Sequence, residues 1–215
     1  LQLAGVPLAK YTPQIGRLSL CDPSHTTANY KRWRPDWVAE TESTRWKALH
    51  HTPLEPKHVS LLWQLQHGCI PTAKQLQHMS PDNTDKCPPC GNMAADRSTF
   101  LPAPEHREDL AHYFYGCARV RRFWLLVGRF LTSTLPPARR RTSLIISPRE
   151  VAHGFGAWST LIPNHRAWHG LALWQIYRAH TEALFGTAPL KTGDAMFARW
   201  KHDVMQRIVH DFYTH

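Results

Sequence analysis

The sequence lacks any long hydrophobic run, and cysteine is scarce in it. No apolar stretch approaches the roughly 20 residues of a transmembrane helix, so we expect no membrane partner. Five cysteines are an odd number, and they show no spacing typical of a disulfide framework, which indicates a reducing, intracellular compartment. The chain also lacks a signal-peptide pattern and begins with Leu1 rather than Met. We therefore expect it to be a fragment of a longer intracellular polypeptide.

Acidic residues are scarce as well. There are 16 Asp and Glu against 26 Lys and Arg, which gives a formal net charge of +10. Such an excess favours a polyanionic partner, most often nucleic acid, with a basic surface that binds nothing as the alternative. The 215 residues are 42% hydrophobic and include nine Trp, so the chain can bury the core of one ordinary domain or of two small ones.

The cysteines that are present carry the clearest chemical pattern. Residues 87 to 117 follow the spacing C-x2-C-x21-H-x4-C. Three thiolates and one imidazole are the ligand set of a structural zinc site, in which no coordination position is left open for substrate. We expect one structural Zn²⁺ ion, and its ligands are Cys87, Cys90, His112 and Cys117.

Two alternatives to this zinc site remain open. Cys87 and Cys90 could be a redox pair or idle thiols, although Pro88 and Pro89 between them favour a turn over the helix start that redox pairs use. His106 could also replace His112 as the imidazole ligand, although the H-x4-C spacing favours His112.

His112 and Cys117 are five positions apart, so on an unbroken α-helix they would point about 140° away from each other. We predict a helix over residues 108–115 that ends at Gly116. Glycine tolerates the left-handed conformation that ends many helices, and this turn would bring Cys117 back towards His112.

The rest of the chain predicts a mainly α-helical fold, in which a small helical domain is organised around the zinc site and is followed by a helical C-terminal region. Apolar periodicity predicts helices over residues 58–66, 118–131, 167–185 and 194–212. Gly68 is placed to end the first of them, and Ser147 with Glu150 fits a capping box that starts a further short helix. We divide the chain into a lead-in (1–45), a zinc-binding domain (46–131), a basic linker (132–147) and a C-terminal region (148–215).

Two apolar faces complete the expected core. In the first helix, Trp63 falls on the face that we expect to be buried. In the last helix, a stripe of large side chains is interpreted as core, and its members are Phe197, Trp200, Val204, Ile208 and Phe212.

Residues 46–124 resemble the zinc-binding domain at the end of non-LTR (LINE-type) retrotransposon reverse transcriptases. The resemblance depends on the order and spacing of Trp46, Leu49, Leu61, Leu62, Trp63, Leu65, Gly68, Pro71, Thr72, Cys87, Cys90, Glu108, His112, Phe114, Cys117 and Trp124. There are two departures. Tyr113 stands where an aliphatic residue is usual, and the loop over residues 91–107 is longer than is typical.

The resemblance implies a module that lies downstream of a polymerase domain and takes part in transposition. Such elements copy their RNA into a nicked chromosomal site, and the zinc domain is thought to hold RNA or target DNA beside the polymerase, which implies a nuclear location. The sequence contains no paired-aspartate motif for polymerase chemistry and no nuclease constellation. We therefore expect this fragment to be non-catalytic, although its parent would be an RNA-directed DNA polymerase.

Basic residues near aromatic ones are the candidate contacts to nucleic acid. Arginine and lysine bind phosphates, and tryptophan can stack on bases. The candidates are Lys31, Arg32 and Arg34 beside Trp33 and Trp37, then Arg119, Arg121 and Arg122, and finally Arg139, Arg140 and Arg141. The alternatives are a surface turn with its tryptophans in the core and a solvated helix face.

Two other functions are alternatives. The domain could be a protein-interaction scaffold that packs on the polymerase and contacts no nucleic acid. It could also be a zinc hydrolase with Glu108 as the base, but three thiolate ligands leave no site for an activated water.

Overall fold

The structure is a computed structural model, and it describes residues 2–3, 6–7, 54–66, 68–76, 86–87, 90, 108–139, 145–155, 162, 164–184 and 191–214. Two short strands, β1 (Gln2–Leu3) and β2 (Val6–Pro7), pair antiparallel with Leu3 opposite Val6. The other regular elements of these ranges are helices, which confirms the predicted mainly α-helical fold.

Six α-helices follow in chain order. They are α1 (Pro56–Gln66), α2 (Ala73–Leu76), α3 (Ala118–Ser133), α4 (Pro148–His153), α5 (His165–Leu184) and α6 (Gly193–Thr214). A π-helical turn occupies His112–Gly116, and a 3₁₀ turn occupies Pro137–Arg139. Each apolar periodic segment predicted as a helix is one, and the boundaries differ by about two residues because helix ends depend on capping more than on periodicity.

Two predicted helix boundaries are confirmed in detail. Gly68 ends α1 with a positive φ of 64°, and the amide of Cys69 donates to the carbonyl of Gln64 while the amide of Gly68 donates to that of Leu65. This is the paired hydrogen-bond pattern that left-handed glycine permits. At the start of α4, Ser147 and Glu150 form the reciprocal capping box.

Helix α6 packs against both α3 and α5, and α1 packs against α5. Trp200 of α6 is fully buried among the aromatic side chains of α3, with its ring edge-on to Phe123 and Phe130 at centroid distances of 6.3 and 5.5 Å. The buried side chains of α1, α3, α5 and α6 form one hydrophobic cluster. Residues on both sides of the predicted linker therefore share a core, while the proposed domain boundaries remain a prediction.

Two predictions about the core were wrong. Trp63 is 44% exposed, because α1 buries its His58, Leu61, Leu62 and Leu65 side instead. In α6 the apolar stripe is buried only as far as Val204, and Ile208 and Phe212 are 40% and 78% exposed. The apolar spacing continues along the helix, but none of the described elements covers this end of it. Within the described ranges, no helix combines the length and the apolar composition needed to cross a bilayer.

Candidate metal centre

The four predicted ligands come together in the structure. The ligand atoms of Cys87, Cys90, His112 and Cys117 all lie within 4.8 Å of one another. The Sγ atom of Cys90 is 3.7 Å from Sγ of Cys117 and 3.4 Å from Nε2 of His112. Tetrahedral zinc, with bonds of about 2.3 Å to sulfur and about 2.0 Å to nitrogen, separates these atom pairs by about 3.8 and 3.5 Å. The donor set and its spacing therefore fit Zn²⁺.

The first two ligands come from a tight turn. The amide of Cys90 donates to the carbonyl of Cys87 at 3.0 Å, and both thiols are buried. This hydrogen bond closes the C-x2-C segment, so the two sulfurs face the same space. The hydrogen bond fits the predicted turn, although Cys90 itself has helical conformation and the two intervening prolines lie outside the described residues.

The second two ligands are brought together by the π-helical turn. The amide of Cys117 donates to the carbonyl of His112 at 2.9 Å, five residues back along the chain. Because a π-turn contains one residue more per hydrogen bond than an α-turn, residues five apart come onto one face. The helical segment that contains this π-turn begins at Leu110, two residues after the predicted start at residue 108. Just before the segment, Asp109 Oδ1 accepts a hydrogen bond from the His112 amide.

The prediction that Gly116 adopts the left-handed conformation was wrong. Positive φ angles among the described residues occur at Gly68, Gly154 and Asn164, and Gly116 lies within the π-turn. A Cβ at this position would lie 3.3 Å from Nδ1 of His112, tighter than an ordinary contact. Glycine therefore leaves room for the imidazole ring rather than supplying an unusual backbone angle.

Hydrogen bonds within the cluster shift the pKa values of Cys87, His112 and Cys117 in different directions. Hydrogen bonds to Cys117 and Cys90, together with burial, raise the pKa of Cys87, whereas the hydrogen bond from Cys87 lowers the pKa of Cys117. Burial alone would lower the pKa of His112, but hydrogen bonds to Cys117 and Cys90 outweigh it and raise that pKa to about 9. The lowered pKa of Cys117 favours the thiolate that binds metal, whereas His112 must give up its proton before its imidazole can bind metal.

Glu108 and His180 form a buried pair beside this cluster. The Oε2 atom of Glu108 is 2.8 Å from Nε2 of His180, and Oε1 accepts the backbone N–H of Ala73 at 2.8 Å. Potential ligand atoms of both residues lie within 4.8 Å of Sγ of Cys87. Glu108 therefore connects α2, the metal-binding turn and α5. Sequence reasoning missed His180, because no local pattern links it to a motif about 70 residues away.

Tyr113 packs against the same pair. Its ring stacks on His180 with a centroid distance of 3.9 Å, and its hydroxyl donates to the carbonyl of Tyr177 at 3.3 Å. An aliphatic residue could make neither of these polar and aromatic contacts with α5. These contacts give a physical reason why residue 113 is tyrosine, where the resembled family usually has an aliphatic residue.

The predicted phosphate-binding arginines of α3 have different surroundings. Arg119 donates to the carbonyl of Lys191, and Arg122 makes two hydrogen bonds, of 2.9 and 3.2 Å, to the carboxylate of Asp194. Both arginines therefore hold the start of α6. Arg121 is exposed, as is Arg129 on the same helix.

Six other predicted contacts involve side chains outside the described residues. The side chains of Lys31, Arg32, Arg34, Arg139, Arg140 and Arg141 lie outside the described parts of the chain, and so does the alternative ligand His106. Of these residues, Arg139 contributes its backbone to the 3₁₀ turn.

The fold and the site together define a small helical protein built around a buried Cys3His cluster with zinc-site geometry. Residues 26–124, less than half of the chain, match the family model described as zinc-binding in reverse transcriptase. No curated protein and no solved structure matches the chain. The match contains all four ligands and indicates a zinc-binding module associated with reverse transcriptase. Helices α4, α5 and α6 lie beyond the matched residues, so His180 contacts the centre from outside them.

Proposed function

We propose that this chain is a non-catalytic module of a non-LTR retrotransposon reverse transcriptase that binds one structural Zn²⁺ ion and holds template RNA or target DNA beside the polymerase. The observation that carries the proposal is the Cys3His cluster inside the matched segment. Three sulfurs and one nitrogen fill a tetrahedral shell, so the metal would fix the fold and would not activate water. The polymerase domain of the same polypeptide is the expected protein partner.

The charge distribution supports nucleic acid as a ligand. The chain carries a formal net charge of +10, and α3 begins directly after the ligand Cys117. Exposed Arg121 and Arg129 project from this helix, whereas Arg119 and Arg122 are engaged with the start of α6. We assign the first two arginines to phosphate contacts near the metal centre. Because target-primed synthesis takes place on chromosomal DNA, the location implied is nuclear.

The salt dependence of binding tests this proposal. The zinc-loaded chain is titrated against labelled RNA and DNA by fluorescence anisotropy over a series of salt concentrations. Phosphate contacts predict a log–log slope of about −0.7 per contact on single strands and about −0.9 on duplexes. The charge-matched variants are Arg121→Gln with Arg129→Gln, and Arg149→Gln with Arg166→Gln as the control. Absence of salt-dependent binding by the wild-type chain would refute a nucleic-acid function.

One observation favours the scaffold alternative. The end of α6 exposes a set of large apolar side chains, namely Met205, Ile208, Val209, Phe212 and Tyr213. Apolar surface of this kind often contacts another protein. In this alternative the module docks on the polymerase through α6, and Val209→Ser with Phe212→Ser abolishes co-purification with the polymerase domain at any salt concentration. Unchanged co-purification would exclude α6 as the docking element.

A further inference from the structure

A groove lies between α1, α5 and α6, on the side of α5 that faces away from the metal centre. It encloses a cavity of about 610 Å³, and Arg178 of α5 lines it. His180, two positions further along, points to the buried Glu108 instead. Residues two apart on an α-helix are separated by about 200°, so the groove and the metal centre occupy opposite faces of α5.

The lining of the groove is predominantly basic. It contains four side chains that are positively charged at neutral pH, namely Lys57, Arg178, Arg199 and Arg207, together with His58 and His210. Two carboxylates, Glu55 and Asp203, line it as well. The cations come from all three helices and outnumber the carboxylates that line the same cavity, which favours an anionic ligand.

All four cations of the groove are held in ion pairs, and Lys57 pairs with Glu55, which also lines the cavity. Arg178 pairs with Glu182 at 2.5 Å, Arg199 with Asp203 at 3.4 Å and Arg207 with Asp211 at 2.8 Å, each one turn apart on its own helix. The side chains of Arg178 and Arg199 are 44% and 58% exposed, so solvent screens these two pairs and they contribute little stability, whereas the Arg207–Asp211 pair is more buried. Glu182 and Asp211 do not line the cavity, so a ligand there meets the guanidinium groups more closely than these two carboxylates.

The groove also has an aromatic wall and a buried polar atom. The ring of Trp174 lies beneath Nζ of Lys57 at 5.8 Å and meets the edge of His58 at 5.4 Å. His58 is only 3% exposed, and no group among the described residues hydrogen-bonds its Nδ1 atom. Buried polar atoms are normally paired, so an Nδ1 atom with no partner among the described residues is an unusual feature beside the cavity.

We propose that this groove binds the backbone of a single-stranded nucleic acid. The inference rests on the proposed nucleic-acid function and assigns that function to a particular surface. Two of the three helices that form this surface, α5 and α6, lie outside the matched residues 26–124. A concave groove with cations on its walls and an aromatic ring suits a single strand, because proteins that bind single strands combine these two features. RNA and DNA share this backbone chemistry, so the experiment includes both.

The test compares two doubly substituted chains of equal charge. Arg199→Gln with Arg207→Gln changes the groove, and Arg149→Gln with Arg166→Gln changes exposed arginines elsewhere. The full zinc-loaded chain is titrated with single-stranded RNA, single-stranded DNA and a duplex of the same sequence. We expect the groove variant to lose at least about tenfold in affinity for a single strand and its salt slope to fall by about 1.4, and the control to change less than about threefold.

A second measurement covers the opposite wall of the groove. Lys57→Gln on α1 should weaken binding in the same direction, and ultraviolet cross-linking of a uridine-containing strand should map to the peptide that contains Trp174. Circular dichroism and zinc content confirm that each variant is folded. If the wild-type chain binds single strands and the groove variant binds like the control, the groove is excluded while the proposed function stands. If the wild-type chain binds neither RNA nor DNA, both proposals are wrong.

Discussion

The carboxylate of Glu108 and the imidazole of His180 meet at 2.8 Å although 72 residues separate them, and both side chains are almost fully buried. The pair joins the metal-binding segment to α5, and the second oxygen of Glu108 holds the amide of Ala73 at the start of α2. Removing one partner of a buried pair leaves the other without its hydrogen bond, which is more costly than losing an exposed pair.

We therefore expect Glu108→Ala to lower the free energy of unfolding by about 3–5 kcal/mol, measured by urea denaturation of the zinc-loaded chain. Glu108→Gln should recover part of this loss because its amide oxygen still accepts from Ala73. As a control, Glu182→Gln removes a carboxylate from surface ion pairs and should cost less than about 1 kcal/mol. Equal stability of Glu108→Ala and the control would show that the buried pair has no structural role.

Loss of one thiolate should remove the metal and unfold the site. We expect wild type to contain one zinc per chain by elemental analysis, and Cys90→Ser to lose zinc and melt at a lower temperature, because metal binding and folding are coupled at such sites. Cys69→Ser is the matched control, since this thiol is exposed and lies outside the cluster. An unchanged melting curve and zinc content for Cys90→Ser would contradict a structural metal.

The stability should fall in acid partly through His58. Burial lowers the pKa of His58 below its ordinary 6.5, and Lys57 adds to this effect while Glu55 and Asp203 oppose it. Below pH 6.5 the unfolded chain therefore binds a proton that the folded chain does not, so the free energy of unfolding decreases as the pH falls. No such loss from this group occurs above pH 6.5.

His58→Phe should consequently lose less stability than wild type between about pH 7.5 and about pH 5.5, measured as the shift in the urea midpoint. The comparison with wild type cancels the contributions of the other histidines and of the metal ligands. Identical pH profiles of His58→Phe and wild type would refute a buried, neutral His58.

We expect Trp200 to be essential for the packing of α6 against α3 and α5. Its ring is fully buried against Phe123 and Phe130, and its indole N–H donates to the carbonyl of Trp168 at 3.0 Å. We expect Trp200→Ala to cost about 3–5 kcal/mol in chemical denaturation. Trp63→Ala, which truncates a 44% exposed tryptophan, serves as the control and should cost much less. Comparable losses would contradict the packing of α6 on α3.

The close approach of α6 to α3 gives a further prediction. A Cβ on Gly193 would lie 2.6 Å from the backbone oxygen of Arg119 and 2.8 Å from Cβ of Arg122. Gly193→Ala should therefore destabilise the protein by about 1–3 kcal/mol, because the backbone oxygen cannot move aside without shifting the helix. Ala198→Ser at an exposed position of α6 should change stability by less than about 0.5 kcal/mol. If Gly193→Ala left the free energy of unfolding unchanged, the close contact between α6 and α3 would be contradicted.

Much of the metal site could be predicted from the sequence. The C-x2-C turn and the candidate ligands His112 and Cys117 follow from residue chemistry and short spacing, and the structure brings these residues together. The backbone conformation that brings His112 and Cys117 together was predicted incorrectly. The π-turn differs from an α-turn by a single residue in one hydrogen bond, and apolar periodicity is insensitive to that difference.

Burial along single helices was predicted less well. Trp63 and Phe212 fit an amphipathic pattern, yet they are 44% and 78% exposed. A pattern shows which side chains share a face, but which face is covered depends on the neighbouring helices. Similarly, the arginines of α3 share a basic pattern, and the partners Lys191 and Asp194 of two of them lie on a distant segment.

The sequence by itself determined the main helices, the ends marked by Gly68 and by the capping box, and the four residues of the candidate metal cluster, because these depend on interactions between residues that are close along the chain. Only the tertiary structure decided that His180 meets Glu108, that α6 covers α3, and that cations from α1, α5 and α6 converge on one groove. Each of these contacts joins segments that are far apart in sequence. Their partners are selected by how the helices pack, and no local spacing encodes that packing.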